Sequence, residues 1–220
     1  MGEIDWDEVG KALLRSVEES RVKDYIKEPL KEIIGPLLER KEIDYPLLME
    51  IMMVLVFIHV DLMGYLYTGD PSPQNSSKNA VKFLREYLGR IDARYKEVGG
   101  LLYHMLRHGW IHKYTPKRLR MNDGTILDFQ YSFDTNREQH LIKMAEIEGA
   151  KRLHISVSLL YNDLLSALDL FAEDVRHNQE LSDVFKRAFE TRREPEEEDK
   201  LRTKYNQDID FICHLLSEGN

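Results

Sequence analysis

The chain predicts a mainly α protein: a helical bundle with a small inserted antiparallel β-sheet and helical extensions at both ends. Three observations predict it. Apolar residues recur at steps of three and four over most of the 220 residues. One stretch, 45–67, is apolar on nearly every face, as a helix central to a bundle is. Between about 117 and 157 the period changes to two, around Asn122-Asp123-Gly124.

The first extension, 1–44, alternates charge with Leu13, Leu14, Val17, Val22, Ile26, Leu30, Ile33, Ile34, Leu37 and Leu38, and reads as one or two amphipathic helices. Gly35-Pro36 predicts a break or kink there. The bundle itself spans 45–193. In its central helix Leu48, Met52, Leu55, Val56, His59, Met63 and Leu66 follow one face, and Gly69 suits the left-handed C-cap. The most apolar run, 51–60, is shorter than the ~20 residues a bilayer span requires, so a buried core helix and no membrane contact are expected. Ser76 or Ser77 is placed to cap the next helix, which runs to about Tyr95. Gly99-Gly100 is expected to loosen the chain before a helix that Pro116 stops. Two hairpins are then expected to form the inserted sheet, 118–131 around Asp123-Gly124 and 140–157 around Glu148-Gly149-Ala150. Ser158 is expected to cap a long helix carrying Leu160, Leu164, Leu168, Phe171 and Val175 on one face, and a shorter helix follows over 181–193. Pro195 and the acidic run 196–199 suit the first turn of a last helix, within a tail of 194–220.

Formal net charge is −8, so any nucleic-acid contact must come from a local patch. The single cysteine, Cys213, forms no intrachain disulfide and suits a reducing cytosol. The acidic N-terminus lacks the apolar core of a signal peptide, and a cytoplasmic location is expected. No Gly-rich phosphate loop, Gly-x-Ser-x-Gly elbow or Cys–His pattern is present.

The chemistry concentrates in 101–114, LLYHMLRHGWIHKY. Between Glu97 and Asp123 every formally charged residue is basic: Arg107, Lys113, Lys117, Arg118 and Arg120. Arginines fork onto phosphate oxygens, and Tyr103, Trp110 and Tyr114 interleave where they can stack on bases. The same cations also suit a helix C-terminus with no ligand at all. Arg107 and His112 lie five apart. Arginine can hold a phosphorane and histidine can move a proton at neutral pH. On a regular helix, however, they point about 140° apart. Their cooperation therefore requires a break, for which Gly109 is placed, or a cleft shared with a second subunit.

Arg107-His108-Gly109-Trp110-Ile111-His112 resembles the HEPN signature, an arginine, a polar residue, and a histidine four to six positions past the arginine. The resemblance covers about 45–177. It implies an all-α bundle and, in active members, metal-independent RNA cleavage at a homodimer cleft in toxin–antitoxin or phage-defence systems. It further implies Arg107 on the phosphate, His112 in proton transfer and His108 as an orienting group. Lys113, Lys117, Arg118, Arg120, Trp110 and Tyr114 would bind RNA, no cofactor is implied, and an antitoxin is a possible partner. Other members are non-catalytic binding or assembly modules, and the β insertion departs from the minimal pattern.

A metal-dependent hydrolase is the remaining alternative. His104, His108 and His112 share a helix face, but three in a row span about 12 Å, too far for one ion. A His108–His112 pair would need help from His59, Asp61, Asp163 or Asp169, none at a diagnostic spacing.

Overall fold

A computed structural model describes residues 6–39, 45–109, 115–147, 150–192 and 198–218. They form two compact units, 1–188 and 189–220. The protein is mainly helical with a small mixed sheet.

In the first unit α1 (Trp6–Val22) and α2 (Glu28–Glu39) are joined by a π turn, Lys23–Lys27. Their buried stripe is Glu18, Val22, Ile26, Leu30 and Ile34. Steps of four overshoot a full α turn by about 40° each, and the wider π turn takes part of that drift back. Arg21 neutralises buried Glu18 at 3.0 Å. The expected break at Gly35-Pro36 does not end the helix, since α2 runs through Pro36 to Glu39. Gly35 has no Cβ to collide with the proline ring, which removes the usual objection to helix before proline.

The central helix α3 spans Tyr45–Thr68. Its inner face buries Leu48, Met52, Val56, Phe57, Val60, Met63 and Leu66. It is longer than its most apolar run suggests. By length and composition Pro46–Thr68 could cross a membrane, although 44% of its most apolar stretch is buried within the protein. It is also not apolar and buried all round: Leu47 and Ile58 are 52% and 47% exposed. Gly69 closes α3 with φ +67° and donates to Tyr65 O at 2.8 Å.

Helix α4 (Ser76–Phe83) runs through a π turn (Leu84–Leu88) into the short α5 (Gly89–Ile91). The side-chain cap expected from Ser76 or Ser77 is absent: the N-cap is Asn75, and its side chain makes no cap hydrogen bond. Asp70 organises this turn instead. Its carboxylate accepts from Ser72 N at 2.9 Å and Asn75 Nδ2 at 2.8 Å, and its carbonyl accepts from Asn79 Nδ2 at 3.1 Å. Those bonds hold its carboxyl below the usual carboxylate range. α3 and α4 cross at Gly64, where a Cβ would lie 2.6 Å from Ala80 Cα.

Helix α6 (Arg94–Leu102) continues through a third π turn, Tyr103–Arg107. Gly99 and Gly100 lie inside α6 rather than ahead of it. Space does not require them there: a Cβ at Gly99 would meet Leu84 and Arg85 at 3.6 Å, and one at Gly100 would meet Arg85 Nη2 at 3.4 Å, both ordinary contact distances.

The sheet has the order β1-β2-β4-β3, with β1 Leu119–Arg120, β2 Ile126–Ser132, β3 Ile142–Ile147 and β4 Ala150–Ser156. Both expected hairpins form antiparallel pairs, and Gly124 takes φ +84° in the first turn. The sheet is nevertheless mixed, because β2 and β4 pair in parallel from Ile126↔Ala150 to Ser132↔Ser156. The 133–141 segment carries the chain from β2 past β4 to the outer strand β3, and its anchors on the helices dictate that path. Ser156, not Ser158, caps α7 (Val157–His177) by accepting Leu159 N at 3.1 Å. Ser156 is the last extended residue, whereas Ser158 is already helical.

The anchors converge on Asp163 of α7, which is 0% exposed. Arg137 grips both its oxygens at 2.5 Å, and Tyr95 Oη donates to it at 2.8 Å. His140 Nδ1 accepts Ser156 N at 3.1 Å, and its Nε2 lies 2.8 Å from Tyr95 Oη. Tyr95 spends its proton on Asp163, so His140 is neutral with its hydrogen on Nε2. Arg94, clasped by Asp92, donates to Arg137 O at 2.9 Å and also to His140 O. Around this network α7 packs Phe171 among Tyr67, Phe83, Tyr87 and Phe185 with centroid separations of 5.2–6.3 Å.

α8 (Gln179–Thr191) crosses from the first unit into the second, where α9 (Glu198–Glu218) bends at Tyr205 (φ −128°, ψ 36°). There Arg202 donates to Asn206 at 3.0 Å and Asp210 at 2.6 Å, and Cys213 is exposed.

Two outcomes test this packing. Burial pushes His140 down to about 4, against 6.5 in the unfolded chain, with Asp163 opposing the shift. Between those values the unfolded chain takes a proton that the folded chain refuses. This contribution is therefore complete above pH 6.5 and falls by up to about 3 kcal/mol as pH drops to 4. Urea denaturation across that range should show the loss, and His140→Gln should flatten it. Gly64→Ala should destabilise by about 1–3 kcal/mol in the same assay, reversing the usual gain from replacing a mid-helix glycine.

Candidate functional site

The π turn Tyr103–Arg107 delivers the candidate residues. Such turns add one residue to a helical turn and re-aim the side chains that follow. Tyr103, Met105 and Leu106 turn inward, and His104 is exposed. Tyr103 Oη donates to Asp61 Oδ1 of α3, and Arg107 Nε donates to Asp61 Oδ2 at 3.0 Å. The Asp61 and Arg107 side chains are 20% and 22% exposed. Asp61 thus fixes one edge of the guanidinium from below. Burial first, and then the bond to and charge of Asp61, push Tyr103 up to about 12, with Ser77 and Arg107 opposing. Tyr103 is therefore a fixed donor at neutral pH and no base.

Arg107 and His108 open into one cleft of about 440 Å³ with Asp61, Tyr65, Asp70, Ser76 and Ser77. The His108 ring lies 6.0 Å from the Tyr103 ring and 5.3 Å from that of His104. The chain is helical to Gly109. Pro116 Cα then returns so near that a Cβ on Gly109 would meet it at 2.7 Å, and Lys117 N donates to Met105 O at 3.0 Å.

The other sequence-predicted residues divide into two groups. His112, Trp110, Lys113 and Tyr114 lie outside the described residues. Lys117, Arg118 and Arg120 are described, and none lines the cleft. Lys117 is half-buried, Arg118 pairs with Asp128 at 3.1 Å on the sheet, and Arg120 is exposed on β1. Of the expected basic island, Arg107 is the described member that lines the cleft, while Arg118 and Arg120 lie at the first hairpin.

Partners suggested for a metal are engaged elsewhere. Asp61 holds Arg107, Asp163 is closed by Arg137, and Asp169 pairs with Lys27. His59 Nδ1 lies 2.8 Å from Leu55 O, and burial lowers its pKa. Among the described residues no group of three His, Cys, Asp or Glu side chains is placed to hold an ion.

Sequence reasoning treated Asp61 only as a possible metal ligand and missed its grip on Arg107. The signal was available. Asp61 is one of two carboxylates in the apolar α3, and a charge on such a helix requires a compensating partner.

No family model matches the chain, and no curated protein or solved structure matches it either.

The Asp61–Arg107 contact is measurable. In a double-mutant cycle of Asp61→Ala and Arg107→Ala, urea denaturation should give a coupling of about 1 kcal/mol. Additive single effects would show that the two side chains merely neighbour each other.

Proposed function

We propose that the protein is a HEPN-like, metal-independent endoribonuclease that cuts RNA in a homodimer, at the cleft holding Arg107 and His108. One observation carries the reading: the arginine and its following polar residue share a single open cleft, and a half-buried carboxylate orients the arginine. The other half of the motif, His112, lies outside the described residues, and its role is taken from the resemblance.

The chemistry balances without a cofactor. His112 takes the proton of a ribose 2′-hydroxyl, and O2′ bonds to the adjacent phosphorus. Arg107 holds the charge on the non-bridging oxygens as the phosphorane forms, with Asp61 fixing its orientation. The P–O5′ bond breaks, and O5′ leaves with a proton from solvent water, while His112 returns to solvent the proton that it took. The products are a 2′,3′-cyclic phosphate and a 5′-hydroxyl. His108 lines the cleft and orients the phosphate. The toxin or phage-defence setting is what the resemblance adds.

The surface of α3 supports the dimer. Leu47, Ile51, Val54 and Ile58 form an outward stripe at steps of four and three, with each residue half-buried or exposed. The next positions in that stripe are Asp61 and Tyr65, which line the cleft. A helix from a second copy on this seam would bring two clefts together, as a heptad-like stripe does.

A non-catalytic binding module is the second reading, and the Asp61 contact favours it, because a paired arginine offers less net charge to a phosphorane. Incubation of the full chain with RNA in excess chelator separates the two. Cleavage to cyclic-phosphate ends, reduced about 100-fold or more in Arg107→Ala and in His112→Ala, is expected. Cleavage persisting in both variants refutes the assignment, and intact RNA in every sample favours the binding module.

A further inference from the structure

A second groove adjoins the cleft. It encloses about 750 Å³ between α4 and α6 and is lined by Ser77, Lys78, Val81, Lys82, Arg85 and Lys96, with Glu86 at one end. Ser77 lines both this groove and the Arg107 cleft, so the two adjoin there.

The four cations are exposed. Lys78, Lys82 and Arg85 follow i, i+4, i+7 on one side of α4 and its π turn, about 10 Å from first to last. Lys96 faces them from α6. The Lys96 stem rests against the bare backbone of Gly89, where a Cβ would lie 2.6 Å from Lys96 Cγ.

These cations differ from most others in the protein. Lys23, Lys27, Arg90, Arg94, Arg118 and Arg137 are all tied to carboxylates. Among the described residues Lys78, Arg85 and Lys96 form no ion pair, and Lys82 sits 5.1 Å over the Tyr67 ring. Glu86 is the one carboxylate among the residues lining the groove; Asp70 acts on Lys78 from beyond it, and Asp174 and Glu180 share a neighbouring cleft with Lys82 and Glu86. Lys78, Arg85 and Lys96 lie away from that second cleft, and in a chain of net charge −8 such a cluster holds mobile counterions that a polyanion can displace.

We propose that this groove is a track for the phosphodiester backbone of a single RNA strand, which it leads past Ser77 into the Arg107–His108 cleft. The proposal rests on the ribonuclease reading for its direction. A sugar–phosphate chain carries one negative charge per nucleotide, and a line of exposed cations meets it without needing pockets for bases. Sequence preference is therefore weak and salt dependence strong.

The test measures binding apart from cleavage. The full chain is titrated with a fluorescent single-stranded 2′-O-methyl oligoribonucleotide, which lacks the attacking hydroxyl, over a range of salt. The variants are Lys78→Ala/Lys82→Ala/Arg85→Ala, which changes exposed side chains only, and a control, Lys11→Ala/Lys31→Ala. Circular dichroism and thermal melting establish that each is folded. The triple variant should bind about tenfold or more weakly near 0.1 M salt, and the slope of log K against log salt should fall by about 2, near 0.7 for each lost contact. The control should match the parent protein. An unchanged affinity and slope in the triple variant overturns the track, whatever the cleavage assay shows. Tighter binding of polyglutamate than of the oligonucleotide also overturns it, in favour of an acidic protein partner. Salt-dependent binding that the triple variant loses, with no cleavage of ordinary RNA, upholds the track and refutes the nuclease.

Discussion

Asp163 is a carboxylate without access to water, at the point where α6, α7 and the 133–141 segment meet. A buried charge is tolerable only when it is paired and fully hydrogen-bonded. Arg137 supplies the countercharge through two parallel bonds, and Tyr95 supplies a further donor. Removing one member of such a set leaves a stranded charge, a loss of about 3–5 kcal/mol. The network is also the clasp between sheet and helices. The chain accepts local strain to reach it, for Leu141 takes φ +56° beside buried His140, a conformation that costs a side-chain-bearing residue about 1 kcal/mol.

The candidate site repeats this logic more openly. Asp61 has two partners, Tyr103 and Arg107, both delivered by a π turn in the helix packed beside α3. Its environment is half-exposed, so the pairing is weaker and the arginine keeps a face on the cleft. Deep burial at Asp163 holds the sheet in place, and partial burial at Asp61 leaves a charged site addressable. Two glycine contacts set the spacing around it: Gly64 lets α4 close on α3, and Gly109 lets the 115–117 backbone close on the motif helix.

Much of the fold was legible in residue order. Leu48, Met52, Val56, Met63 and Leu66 marked the inner face of α3 by spacing alone, and Asp123-Gly124 marked a tight hairpin turn. Leu160, Leu164, Leu168, Phe171 and Val175 marked the buried face of α7. Pro36, Gly99, Gly100 and Ser158 were read by their general preferences, but Gly35 admits helix before Pro36, α6 runs on through Gly99 and Gly100, and Ser156 is the last extended residue before α7. Within the site, Arg107 and His108 were legible as chemistry. Their carboxylate lies 46 positions away from Arg107 in sequence, on a helix read as core. The cations at 78, 82, 85 and 96 attract no notice in sequence, because Glu86, Asp92 and the acidic remainder dilute them until folding gathers them along one groove.

Local periodicity and turn chemistry determined which segments are helices, which are hairpins, and which residues can handle a phosphate, because those properties depend on neighbours within a few positions. Tertiary structure alone decided that two antiparallel hairpins join through a parallel seam. It also decided that Asp61 holds Arg107 and that Lys78, Lys82, Arg85 and Lys96 gather along one groove. Each of these follows from contacts between distant segments, where burial of charge and the closeness of two backbones, not local preference, set the free energy.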